Sequence, residues 1–422
     1  MRRILHLGRH GLIFFFAKSA VIIAPLAAAG LLTQSLYGTV EWWLALSLSF
    51  GPLLVMGAPG LVAYGTLGYK LRRHVRTATV FVLIAVSVLL LLVLMMPLLG
   101  LGWKTSFYGP VALQCSVVAL QMTLSARLKG LGKGAWASLV ESTLYLSLLC
   151  ALLLNWQGLD FVLSFMVLLL LASSLLIGGV IRFIPIPSLS RWPRRNYRAF
   201  LPIGLQFMAG GALMGIFMAL PRISLGVLAS PERVAEFALV FRWLSISIIA
   251  HQFINTVFFR TIFTDVCARK RNRMLASTVL LVACGTLSIV FALHIAQTLN
   301  LPFPIPSSMG LVWSMSIVMV MWSATACFEG CLYREGASLA QMWAIVSGLL
   351  VQILVLGFIT VMAYGDVLLV GVSYAWLLGF VAMILVQHRA LRAINSCMSW
   401  LMRAVFSFLM LFVIATLAWF WS

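Results

Sequence analysis

The sequence predicts an all-α polytopic membrane protein: two six-helix lobes, related as parallel repeats around a central cavity, with a thirteenth helix at the C-terminus. Three observations predict it. Hydrophobic residues make up 63% of the 422 and charged residues 9%, with a mean hydropathy of +1.09, against roughly 45–50% and about 25% in soluble domains. The apolar residues fall into thirteen runs, each about the length that crosses a bilayer. A basic, proline-bearing stretch at 183–199 has six of these runs before it and the rest after it.

In order, the runs are 11–33, 40–66, 78–101, 108–126, 136–155, 160–181, 200–222, 234–258, 275–298, 308–330, 339–362, 367–387 and 404–421. The first follows Arg2 and Arg3 and ends in small residues before Gly30, as a secretory signal would. Its 22 residues from Gly11 to Leu32 exceed the 7–15 of a signal core, so it reads as the first span. The linker then separates a lobe at 1–182 from a lobe at 200–390, and 391–422 holds a loop and the last helix. Segment 404–421 either spans or lies in the interface on Trp419 and Trp421; its lack of a charged face favours a span.

Orientation follows from Lys and Arg. With the N-terminus inside, cytoplasmic stretches carry three in 1–10, four in 69–76, three in 127–133, five each in 182–198 and 260–273, Arg334, and three in 389–403. That is 24 of the 29, and flipping the chain would put all of them outside. Only Lys104 and Arg233 face the other side, while Lys18, Arg222 and Arg242 fall within spans.

The same distribution excludes nucleic acid as a partner despite the net charge of +20, because the basic residues sit in short runs between spans rather than on one polar face. No C-x-x-C or Cys/His ligand spacing occurs among the seven cysteines, so neither disulfide, metal nor cofactor is expected. Outer loops of about ten residues at most leave no place for an acid, base or nucleophile, which argues against an enzyme such as a membrane glycosyltransferase or polymerase.

The halves echo each other. Leu36-Tyr37-Gly38-Thr39-Val40-Glu41-Trp42-Trp43 in the first resembles Ser230-Pro231-Glu232-Arg233-Val234-Ala235-Glu236-Phe237 in the second, and an even number of intervening spans makes the repeats parallel. These segments, the Pro/Arg linker and a seventh run ending in Pro221-Arg222-Ile223-Ser224-Leu225-Gly226 resemble the Wzx-type bacterial polysaccharide flippases. That family belongs to the MOP exporter superfamily, which also contains peptidoglycan lipid flippases and MATE drug exporters. The resemblance covers span order over 1–390, and 404–421 departs from a strict twelve-helix plan. It implies two lobes facing a cavity in the bacterial inner membrane. It also implies transport of an undecaprenyl-diphosphate-linked oligosaccharide from the cytoplasmic to the periplasmic leaflet, with the pathway's polymerase and chain-length regulator as neighbours.

Polar residues within the spans are the candidate site. At 100° per residue Arg242, Ser245, Gln252 and Thr256 share one side of the eighth span, interrupted by Ile249, while Ser247, His251 and Asn255 occupy the opposite face. The Arg242 face is assigned to the cavity because it carries the fixed charge, the competing role being a reach back to Glu236 or the interface. His251 and Asn255 are expected to make helix-packing hydrogen bonds. In the seventh span Gly211 and Gly215 form a GxxxG pair for close approach, and with Pro221 they could bend as a gate. Arg222 is either an outer anchor or a second cation at the mouth. Lys18 either meets a phosphate or snorkels inward.

The carboxylates within spans are Glu141, which pairs with Lys18 or a basic loop or else couples transport to an ion, and Glu329. Glu41 and Glu236 are read as lying at the outer ends of their spans. Three basic candidates against two acidic ones suit an anionic lipid-linked cargo better than the cationic cargo of a MATE-like exporter. The coupling ion, whether proton, sodium or none, stays open.

Overall fold

A computed structural model describes residues 2–55, 57–60, 62, 72–95, 108–184, 194–257, 268–301, 303–362, 366–394 and 407, excepting the side chains of 2–10, 72–74, 194–204, 206, 207, 256, 257, 268–271 and 366. The predicted span 404–421, Ser407 apart, and the middle of the linker lie outside the described residues.

Among the described residues all regular structure is helical. The helices are α1 (Arg2–Leu31), α2 (Gln34–Leu54), α3 (Arg72–Met95), α4 (Tyr108–Gly130), α5 (Gly134–Glu141), α6 (Thr143–Trp156) and α7 (Phe161–Phe183), followed by α8 (Arg194–Leu228), α9 (Pro231–Ser245), α10 (Ile248–Val257), α11 (Ala268–Thr298), α12 (Met309–Arg334), α13 (Ser338–Met362) and α14 (Asp366–Ala393). Nine of them are long and apolar enough to cross a membrane, and two bent pairs raise this to eleven among the described residues. Each of the eleven matches a predicted run. The predicted run 40–66 is α2, which starts earlier, carries Gln34, Thr39 and Glu41, and ends at Leu54 beyond Pro52. Proline lacks the amide a helix interior needs, and Gly57 at φ 75° turns the chain away.

Two predicted spans are broken. The run 136–155 is α5 and α6, bent by 47°, and 234–258 is α9 and α10, bent by 57°. Hydroxyls at both breaks donate to carbonyls of the preceding turn. Ser142 and Thr143 donate to Leu139 and Val140 at 2.8 Å, and Ser245 and Ser247 donate to Arg242 and Leu244 at 2.8 and 2.7 Å. Such back-bonding lets a helix bend. Apolar periodicity runs on through both breaks, so the sequence shows one run at each.

The chain forms two compact units, 1–33 with 39–223 and 34–38 with 224–422. This division falls inside α8 rather than at the 183–199 linker, because α8 up to Ile223 packs within the first unit. In the first unit α4 is the central helix, and in the second α12 is; the two are the fourth and tenth predicted spans, equivalent in a six-plus-six repeat. In each, 78% of the apolar stretch is buried.

The second unit has an aromatic core in which Trp376 lies 6.3, 5.9 and 5.9 Å from the rings of Phe237, Phe241 and Phe380. Polar ties cross its helices. The Gln387 amide donates to the Thr325 carbonyl at 3.3 Å and to Gln341 Oε1 at 2.8 Å, joining α12, α13 and α14, and Ser314 and Ser373 hydroxyls meet at 2.6 Å. Interhelical bonds of this kind contribute about 0.6 kcal/mol each and at most about 2. Gln387→Leu is therefore expected to lower thermal stability in detergent by about 1 kcal/mol, measured against Gln387→Asn as the polar control.

Candidate transport site

Buried charge marks the site. Arg222, on α8, donates through Nη1 to Glu41 Oε2 of α2 at 3.0 Å, with side-chain exposures of 4% and 0%. An isolated charge in such a place would cost several kcal/mol, and the pair persists because each ion solvates the other. The sequence left Arg222 as either an outer anchor or a second cation at the mouth, and read Glu41 as a residue at the outer end of its span. The structure puts both inside the first unit, and α2 begins six residues earlier than predicted, which carries Glu41 into the helix.

Lys18 takes neither of the roles read for it, while Glu141 takes the pairing role that the sequence left open for it. The Lys18 ammonium lies 3.5 Å from Glu141 Oε2 and 5.9 Å from the centre of the Phe14 ring. Lys129, in the last turn of α4, pairs with the other oxygen of the same carboxylate, and the Ser125 hydroxyl also bonds it. Glu141 is the last residue of α5, at the break before α6, so helices α1, α4 and α5 deliver two cations to one anion.

Arg242 is 4% exposed, near the end of α9, its guanidinium 5.6 Å from the centre of the Phe241 ring. Its carbonyl accepts the Ser245 hydroxyl, which brings these two predicted site residues together through a local turn. The bend after Ser245 interrupts the single helical phase that aligned them with Gln252 and Thr256. Gln252 is half-buried on α10, and the Thr256 side chain lies outside the described residues. On the other predicted face, His251 Nε2 meets the Asn255 amide at 3.0 Å and His251 Nδ1 meets Ser323 of α12 at 3.4 Å, the helix-packing role expected of them.

The chain was compared with known proteins. No family model matches, and no curated protein does. Solved structures do. A MATE transporter in complex with MaL6 is 13% identical, with 92% of this chain and 96% of that one covered at a TM-score of 0.57. An inward-facing multidrug resistance MATE family transporter of the MOP superfamily is 12% identical, covering 90% and 96%, TM-score 0.53, and an outward-facing one is 13% identical, covering 95% of each, TM-score 0.53. The fold is that of a MATE-type transporter.

Within this MATE-type fold the close approach expected of the GxxxG pair is made at Gly215 and not at Gly211. A Cβ on Gly215 would lie 2.5 Å from the Leu48 carbonyl oxygen and 3.4 Å from Pro52 Cγ, whereas one on Gly211 would meet only Pro52 Cβ at 4.0 Å. Ser49 adds a hydroxyl bond to the Gly215 carbonyl at 3.5 Å. Gly211, Gly215 and the buried Pro221 thus line the α2–α8 seam that ends at Glu41 and Arg222. The residues sequence reasoning missed are Glu41 and Lys129. Lys129 was counted only as a loop cation. Its spacing of four residues from Ser125, toward the end of a span that also carries Gln114, Ser116, Gln121 and Thr123, was the available signal.

Proposed function

We propose that this protein is an inner-membrane flippase. Its cargo is an undecaprenyl-diphosphate-linked oligosaccharide, moved from the cytoplasmic to the periplasmic leaflet for surface polysaccharide synthesis by alternating access of the lobes 1–182 and 200–390. The sign of the interior charge carries this reading. Among the described residues the buried charged side chains are Lys18, Arg222 and Arg242 against Glu41, with the half-buried Glu141 beside Lys18, so three cations stand against two carboxylates. An interior with more cations than anions is unfavourable in lipid until an anion enters, and a diphosphate brings that charge together with strong acceptor oxygens. The polyprenyl tail stays in lipid, and no covalent step is needed. The glycan would pass to the polymerase and chain-length regulator of the same pathway. Arg242 and Ser245 are the proposed cargo contacts, with Gln252 and Thr256 further along the broken span, Arg222 and Lys18 as further cations, and Gly211, Gly215 and Pro221 as the moving seam.

A second reading, a cation-coupled drug exporter with Glu141 as the coupling group, has one observation in its favour: the solved structures of this fold include multidrug resistance MATE transporters. Both readings are tested in one set of proteoliposomes. Wild-type protein should translocate a labelled polyprenyl-diphosphate oligosaccharide. Arg242→Ala should slow it by about tenfold or more, the loss of one charge-assisted hydrogen bond of roughly 1.5–3 kcal/mol, and Arg242→Lys should restore part of the rate. Uptake of an organic cation without movement of the lipid-linked sugar would transfer the assignment to the exporter.

A further inference from the structure

Glu141 has a role beyond pairing. Resting on the anionic-cargo reading above, we propose that Lys18 and Lys129 form a phosphate-capture site at the predicted cytoplasmic end of the first unit, and that Glu141 is an internal stand-in which the phosphate of the lipid-linked cargo displaces.

The arrangement has the features of a site held for an exchangeable anion. Two ammonium groups address separate oxygens of one carboxylate, Lys18 on Oε2 at 3.5 Å and Lys129 on Oε1. The cluster therefore carries one uncompensated positive charge. Lys18 is 9% exposed at its side chain and lies seven residues beyond Gly11, about 10 Å along the helix. A second negative charge there would complete the neutralisation, and a diphosphate supplies it with oxygens spaced to take both ammonium groups.

Access and release are also provided for. The Glu141 and Lys129 side chains are 24% and 26% exposed, so a ligand can reach them without unfolding the unit. Glu141 closes the short α5 immediately before the 47° break, and moving its carboxylate does not require a continuous helix to bend. Two nearby cations are committed elsewhere: Arg127 Nε donates to the Phe183 carbonyl at 3.3 Å, and Lys133 sits 5.4 Å from the Phe183 ring centre. A tethered carboxylate competes at high effective concentration. It weakens capture and refills the site when cargo leaves, which suits a carrier that must let go.

The stand-in role and a purely structural pair predict opposite signs. The full chain in phosphatidylcholine nanodiscs is titrated with farnesyl diphosphate, with farnesol as control. Wild type should bind the diphosphate in preference to the alcohol. Glu141→Gln should lower the Kd about tenfold, and Lys18→Gln or Lys129→Gln should raise it about tenfold, each tenfold being 1.4 kcal/mol. In the translocation assay Glu141→Gln should slow turnover because release is impaired. If wild type binds the diphosphate but Glu141→Gln leaves the Kd unchanged or raises it, the stand-in role is overturned while the flippase reading survives. No preference for the diphosphate over farnesol in wild type overturns both. Adding phosphatidylglycerol to the nanodiscs should leave the Kd unchanged; full competition would assign the cluster to bulk anionic lipid and overturn its assignment to cargo. Should Glu141→Gln fail to fold, Glu141→Asp draws the carboxylate back by one methylene and should shift the Kd in the same direction.

Discussion

Glu41→Ala, with Arg222 left in place, should destabilise the protein by about 3–5 kcal/mol, the cost of leaving one member of a buried pair without its partner. The carboxylate is fully buried and the guanidinium nearly so. Removing the first takes the opposing charge from the second where water cannot reach it. Arg222→Ala should cost a similar amount for the mirror-image reason. The double variant Glu41→Gln with Arg222→Met should recover most of the loss, since an uncharged pair of similar volume carries no stranded charge. A half-buried pair supplies the control. Arg233 and Glu236, 3.2 Å apart one turn along α9, are 35% and 14% exposed, and Arg233→Ala should change stability by under about 1 kcal/mol. Thermal unfolding of the four variants in one detergent gives the comparison. A Glu41→Ala loss no greater than that of Arg233→Ala would mean that the Arg222 guanidinium finds water or another anion, and the pair would lose its place as the anchor of the α2–α8 seam.

Gly215→Ala and Gly211→Ala should part company although they occupy the two ends of one GxxxG motif. At Gly215 the new methyl would meet a backbone carbonyl, Leu48 O, at 2.5 Å. Backbone cannot rotate away as a side chain can, so α2 and α8 must separate, at a cost of about 1–3 kcal/mol for overpacking. At Gly211 the nearest atom is Pro52 Cβ at 4.0 Å, ordinary van der Waals contact. There the substitution should be neutral or stabilising by up to about 1 kcal/mol, because alanine is the better helix former. If the seam also moves during transport, Gly215→Ala should depress the translocation rate more than its stability loss accounts for. Equal effects at the two positions would show that the close approach is not specific to Gly215.

How much of this was legible depends on the kind of interaction. The spans could be read because each is a sum over about twenty residues, and one polar residue hardly changes the sum. The His251 and Asn255 bond could be read because both lie on one short helix four residues apart, and the Lys18–Glu141 pairing was one of two roles the residues allowed. Glu41 could not be placed from its neighbours in sequence. Whether a carboxylate near a helix end faces water or is buried depends on a partner 181 positions away. The same applies to Lys129, whose role depends on the fold of α5 beside it. The helix breaks at Ser142 and at Ile246–Ser247 were hidden for another reason: hydroxyl back-bonding competes with the helix by a margin that apolar periodicity does not register.

Composition and charge order by themselves determined that this is a multi-pass, all-helical membrane protein, since a bilayer requires apolar length and internally satisfied backbone. They did not settle the balance of charge in the interior, because Glu41 and Glu236 stand near span ends and their burial is not written in the order of residues. Only the tertiary structure decided which of the charges are committed to one another. Glu41 holds Arg222 deep in the first unit, while Glu141 is shared between Lys18 and Lys129. The physical reason is that a charge in a low-dielectric interior takes its energy from the nearest opposite charge, and which charge is nearest is fixed by helix packing rather than by order along the chain.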